Sequence, residues 1–127
     1  MAKAMDDLQL RNAEKIGAIL KEHRERKDKS QRDVALVLGY RNVNFISMIE
    51  SGRSNPPLSR LADICRAYEL PVHFVPVMLK ALFPDTWEAI KSILAVSKDL
   101  FANRTPAQIE KELDQMMVKM LKEYKVS

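Results

Sequence analysis

Apolar residues recur at helical spacing along almost the whole chain. The first amphipathic stretch runs from about Asp6 to Lys27, with Ile16, Ile19, Leu20 and His23 on one face. Before it, Met1–Arg11 has weak periodicity and does not mark where the helix begins. The second helix starts sharply. Ser30 is a good N-cap with Asp33 three residues on, and Val34, Ala35, Leu38 and Gly39 complete a short helix and its stop. After a turn at Tyr40–Arg41, Asn42 can cap a third helix running to about Glu50, with Phe45, Ile46 and Ile49 apolar. In the break that follows, Gly52 ends one helix and Pro56 or Pro57 suits the first turn of the next. Leu61, Ile64, Cys65 and Tyr68 then form the apolar face of a fourth helix. Pro71 opens a fifth element of one or two turns containing Val72, Phe74 and Val75, with Pro76 early in it.

The remainder has a different character. Trp87, Ile90, Leu94 and Phe101 follow a helical pattern over Asp85–Phe101. Thr105 caps a long last helix, with Pro106 at its first position and Gln108 at its third. Ile109, Leu113, Met116, Met120 and Tyr124 follow at spacings of four and three, the seam of a helix that pairs with another helix. That seam packs either on Trp87–Phe101 of the same chain or on its mate in a second chain. The pattern predicts an all-α protein: a five-helix domain over residues 1–79, with its core at about 14–76, and a two-helix extension over 80–127.

Composition narrows the function only a little. Apolar residues are 46% and charged residues 30%, which places the chain among globular rather than disordered sequences. The formal charge of +4 permits nucleic-acid binding without establishing it. The single cysteine, Cys65, sits on the apolar face of the fourth helix and reads as core, so no internal disulfide is expected and a reducing, cytoplasmic setting fits. No apolar run approaches the roughly 20 residues that cross a bilayer, and MAKAMDDLQL lacks the apolar centre of a signal peptide. His23 and His73 stand without Cys or Asp partners at ligand spacing, so no metal is expected. No glycine-rich phosphate loop and no Ser/His/Asp or Cys/His arrangement is present. Neither a cofactor nor enzymatic activity is expected.

The informative constellation is Ser30-Gln31-x-x-Val34-Ala35-x-x-Leu38-Gly39, then Ile46-Ser47-x-Ile49-Glu50-x-Gly52. Two short helices crossing steeply need a small residue at the crossing, here Ala35. The tight turn between them favours Gly39. Ile46 and Ile49 hold the second helix to the core, so that its outer face projects as a rod able to enter the major groove. On that outer face, Asn44 suits a bidentate contact to adenine, Ser47 a single contact to several bases, and Val43 a thymine methyl. Arg41 reads guanine or holds phosphate, Asn42 is a structural cap or a phosphate contact, and Met48 is partly buried or faces DNA.

Together with Arg24, Pro57, Leu61 and Ile64, these residues resemble the phage repressor and Cro type of helix-turn-helix regulator, the XRE family, over roughly Ile16–Val75. The interval from Gly39 to Ile46 is one residue longer than usual, and a subset of such regulators carries a similar GY…FIS run. The resemblance implies a repressor-like fold and sequence-specific binding of double-stranded DNA as a transcriptional regulator, a repressor, with the helix around 42–50 in the major groove. It implies a phosphate contact at Gln31 and a backbone clasp from Arg53, Ser54, Asn55 and Arg60, with Lys29 and Arg32 flanking the other side. Arg24 and Glu50 would pair across the first and third helices as a structural ion pair. A palindromic operator and a homodimer held by Ile109, Leu113, Met116 and Met120 would follow. So would a bacterial or phage cytoplasmic location, nucleoid-associated when bound. The alternatives are an antitoxin or adaptor whose C-terminal helices bind a protein partner, and an architectural protein without sequence preference.

Overall fold

The computed structural model describes residues 6–125. Residues 1–5, part of the stretch read for a signal peptide, and residues 126–127 lie outside them. Among the described residues there are seven α-helices and no strand: α1 (Asp7–Arg26), α2 (Gln31–Leu38), α3 (Asn44–Glu50), α4 (Leu61–Ala67), α5 (Phe74–Leu82), α6 (Pro84–Phe101) and α7 (Pro106–Glu123). A 3₁₀ turn, Leu58–Arg60, leads into α4. The chain divides into two compact units, Met1–Trp87 and Glu88–Ser127.

Local chemistry accounts for the helix ends. Asp6 and Gln9 form a reciprocal capping box at the start of α1, as Ser30 and Asp33 do for α2 and Thr105 and Gln108 for α7. Gly39 ends α2 at φ +82°, a left-handed conformation that costs glycine little, and the Tyr40 amide returns to the Ala35 carbonyl at 2.8 Å.

In the first unit, α1 packs against α3 and α5, and α4 packs against α2 and α5. Leu20, Val34, Ile46, Ile64, Cys65, Tyr68 and Met78 are the largest fully buried side chains. Ile16 and Leu20 are buried as the pattern predicts, but Ile19 is 42% exposed. The buried stripe is Ala13, Ile16, Gly17, Leu20 and Arg24, turned away from Ile19 so that Gly17 faces α3. At Gly17 an added Cβ would fall on the backbone carbonyl oxygens of Ile49 and Glu50, so α1 and α3 meet there backbone to backbone.

The fifth element is longer than its pattern suggests. It has nine residues and buries Met78 and Leu82, while Val72 lies outside it, 79% exposed. Pro76 does not interrupt it, because it stands in the first turn, where an amide has no acceptor within the helix. In the second unit, α6 departs from helical geometry at Ser97 (φ −121°, ψ 16°). Neither α6 nor α7 has a buried residue.

Candidate nucleic-acid interface

The sequence of α3 divides it into two faces. Ile46, Ile49 and Glu50 are buried, while Asn44, Ser47, Met48 and Ser51 are exposed at i, i+3, i+4 and i+7. The outward stripe is therefore polar apart from Met48, which is 44% exposed and so faces away from the core. The helix begins at Asn44, with Val43 as its N-cap residue. Asn42 does not occupy the cap position. Its side-chain oxygen accepts the Asn44 amide at 3.0 Å from one residue further out. Val43 is half-buried against the core, and Tyr40 and Phe45 pack with ring centroids 4.9 Å apart. Arg41 and Asn42 are exposed. Between this turn and α2 lies an open cleft of about 270 Å³, lined by Arg32, Leu36, Tyr40 and Arg41 among others.

Glu50 anchors α3 from behind. Its carboxylate accepts Arg24 Nε at 2.8 Å and Arg24 Nη2 at 2.9 Å, the Tyr68 hydroxyl at 2.7 Å and Gln31 Nε2 at 3.2 Å. Arg24 also donates to the Lys29 carbonyl at 2.8 Å. One carboxylate thus ties together α1, α2, α3 and the residue that follows α4. Bidentate, charge-assisted bonds of this kind are short and directional.

Residues 15–75 match the model of a protein family described as a helix-turn-helix domain. The all-α fold of the first unit is a helix-turn-helix fold, of the kind found in DNA-binding regulators. No curated protein and no solved structure matches the chain.

Within the helix-turn-helix domain, the residues expected at DNA are not all free. Arg32, Arg41, Asn42, Asn44, Ser47 and Arg53 are exposed. Ser54 is half-buried, its hydroxyl donating to the Asn55 carbonyl at 3.4 Å. Gln31 is half-buried on Glu50, with one amide hydrogen still unused. Lys29 pairs with Glu69 at 3.5 Å. Arg60 donates to the Leu38 carbonyl at 2.9 Å and lies 5.3 Å from the Tyr40 ring centroid, so it closes the C-terminal end of α2. Asn55 turns inward, donating to the Leu82 carbonyl at 3.5 Å, while Asn12 donates to the Ala81 carbonyl at 3.4 Å. These two amides serve the last carbonyls of α5, which no helical amide reaches.

Three contributors went unread in the sequence. Ser51 completes the outward stripe of α3. Gly17 allows α3 its close seat on α1. Tyr68 was read only as an apolar residue of α4, although a buried tyrosine hydroxyl requires a hydrogen-bond partner, and that requirement was the available signal.

The cluster sets two pH limits. Burial alone would raise the Glu50 pKa, but the bonds from Arg24, Tyr68 and Gln31 outweigh it and hold the carboxyl below its ordinary 4.5. A lowered folded value gives stability that is present above about pH 4.5 and is lost as pH falls through the folded value. Burial first, and then the bond to Glu50, push the Tyr68 hydroxyl above its ordinary 10.0. A raised folded value gives stability that is complete below pH 10 and is lost as pH rises through the folded value. Urea midpoints over a pH series are expected to form a plateau between these limits. Tyr68→Phe is expected to flatten the alkaline fall and to cost about 1–2 kcal/mol at neutral pH. An unchanged alkaline fall would contradict the assignment.

Proposed function

We propose that the chain is a sequence-specific, double-stranded DNA-binding transcriptional regulator of the phage repressor and Cro type, acting as a repressor. The observation that carries this reading is the two-faced α3. Asn44, Ser47, Met48 and Ser51 are presented on a helix whose opposite face is fixed by Ile46, Ile49 and Glu50. A rigid helix with a polar outer stripe suits the major groove, which admits one helix and presents a distinct pattern for each base pair. Asn44 and Ser47 would read bases, joined by Arg41 and by Met48 through apolar contact. The free amides at the start of α2, the spare Gln31 hydrogen, Arg32 and Arg53 would hold phosphates. Lys29, Asn55 and Arg60, engaged within the fold, would shape this surface rather than clasp the backbone.

A homodimer on a palindromic operator completes the proposal, since one α3 reads only a few base pairs. The exposed Leu113, Met116 and Met120 of α7 support it. The same adaptable methionines favour, as a second reading, an antitoxin or adaptor that binds a protein partner.

Selection from random duplex DNA, followed by anisotropy titrations at two salt concentrations, tests the proposal. A palindromic motif bound roughly 10³-fold over random DNA is expected, with affinity falling as salt rises. Asn44→Ala should relax one position per half-site, by about 1–3 kcal/mol. Equal affinity for all sequences would overturn base reading and leave the partner-binding alternative.

A further inference from the structure

We propose that α7 pairs with the α7 of a second copy of this chain, antiparallel and in one defined register. The inference rests on the dimer reading above and adds orientation and contacts to it. Ile93 and Leu94 of α6 and Leu113, Met116 and Met120 of α7 are all at least 44% exposed, so pairing within the chain does not cover these apolar residues. Along α7, Ile109, Leu113, Met116 and Met120 occupy alternating heptad seam positions, with Glu112 and Lys119 one residue before Leu113 and Met120 on the same flank.

Charge selects the orientation. When two copies run antiparallel with Leu113 opposite Met116 of the second copy, Ile109 falls opposite Met120. Each Glu112 then faces Lys119 of the other helix. Two-fold symmetry makes both the apolar layers and this ion pair occur twice. In a parallel pair, Glu112 and Lys119 would face Met117 and Tyr124 and find no opposite charge. Antiparallel packing also sets the helix dipoles against each other favourably. Within the chain, Arg104 reaches Glu112 at 3.3 Å, which holds the carboxylate at the edge of the seam. An α7 of 18 residues is short for a two-stranded coil. The exposed Ile93 and Leu94 give α6 apolar surface to add beside it, as in a four-helix bundle.

Sedimentation equilibrium of the full chain tests this. Glu112→Lys and Lys119→Glu are each expected to raise the dimer Kd roughly tenfold, because each turns two attractions into repulsions. The double variant Glu112→Lys/Lys119→Glu should return to within about threefold of the parent. Single variants without effect, or a double variant no better than the worse single, would overturn the register while leaving the dimer standing. A chain that stays monomeric at every concentration would remove the dimer reading and this proposal with it. Oxidation of Ile109→Cys gives an independent answer. Antiparallel pairing keeps the two cysteines about 16 Å apart along the axis and yields no covalent dimer; a covalent dimer would overturn the orientation. The native Cys65 is buried and does not compete.

Discussion

Glu50→Ala is expected to destabilise the helix-turn-helix domain by about 3–5 kcal/mol, the largest single-residue effect in the chain. The lost attraction is not the main reason. Removing the carboxylate strands the Arg24 guanidinium, which stays buried and keeps only the Lys29 carbonyl and a distant Glu25 as partners. It also orphans the buried Tyr68 hydroxyl and one amide hydrogen of Gln31. A domain of this size is typically stable by about 5–15 kcal/mol, so the variant should be largely unfolded or loosened at moderate temperature. Urea unfolding followed by helical circular dichroism measures it. The contrast that isolates the cause is the triple variant Arg24→Met/Glu50→Leu/Tyr68→Phe, which removes the charges and the hydroxyl together. It should be more stable than Glu50→Ala, because nothing charged is left buried alone. A Glu50→Ala protein with the parent's midpoint and only altered base preference would refute the structural role.

The ion pair also shows what kind of information the sequence held. Helix ends were legible because a cap is local: Ser30 and Asp33, or Thr105 and Gln108, satisfy each other within three residues. Buried faces were legible where every apolar position of the pattern turns inward, as in Leu61, Ile64 and Cys65 of α4 and Tyr68 just after it. They were misjudged on α1, where the close seat of Gly17 on α3 turns the buried stripe away from Ile19. Asn55 and Arg60 carry the chemistry of a phosphate contact, and their position after α3 gave no hint of the bare carbonyls at Leu82 and Leu38 that claim them. Polar side chains near a helix end are contested between solvent, ligand and backbone, and only the fold decides among them. The start of α3 failed for a related reason. Asn42 does accept an amide, but Val43 stands between it and the first helical residue, so Asn42 is the residue before the cap.

Gly17→Ala is the second large effect expected, and its sign is decided by tertiary contact against local propensity. In an exposed helix the change would stabilise by roughly 0.5–1 kcal/mol. Here the new Cβ would occupy the space of the Ile49 and Glu50 carbonyl oxygens. Those atoms are backbone and cannot rotate aside, so α1 must retreat from α3 or α3 must tilt. A net loss of about 2–3 kcal/mol is expected, lowering the thermal midpoint by roughly 10–20 °C for a domain of this size. Gly39 is the useful comparison. An alanine there meets nothing within 4 Å and is opposed only by its φ of +82°, a smaller cost of about 1 kcal/mol. The two variants also separate in function. Gly39→Ala leaves the seat of α3 on α1 intact, whereas Gly17→Ala shifts the helix that carries Asn44 and Ser47. At a temperature where both variants remain folded, Gly17→Ala should lose DNA affinity beyond its loss of stability and Gly39→Ala should not. A Gly17→Ala protein as stable as the parent would show that α1 and α3 separate at no cost.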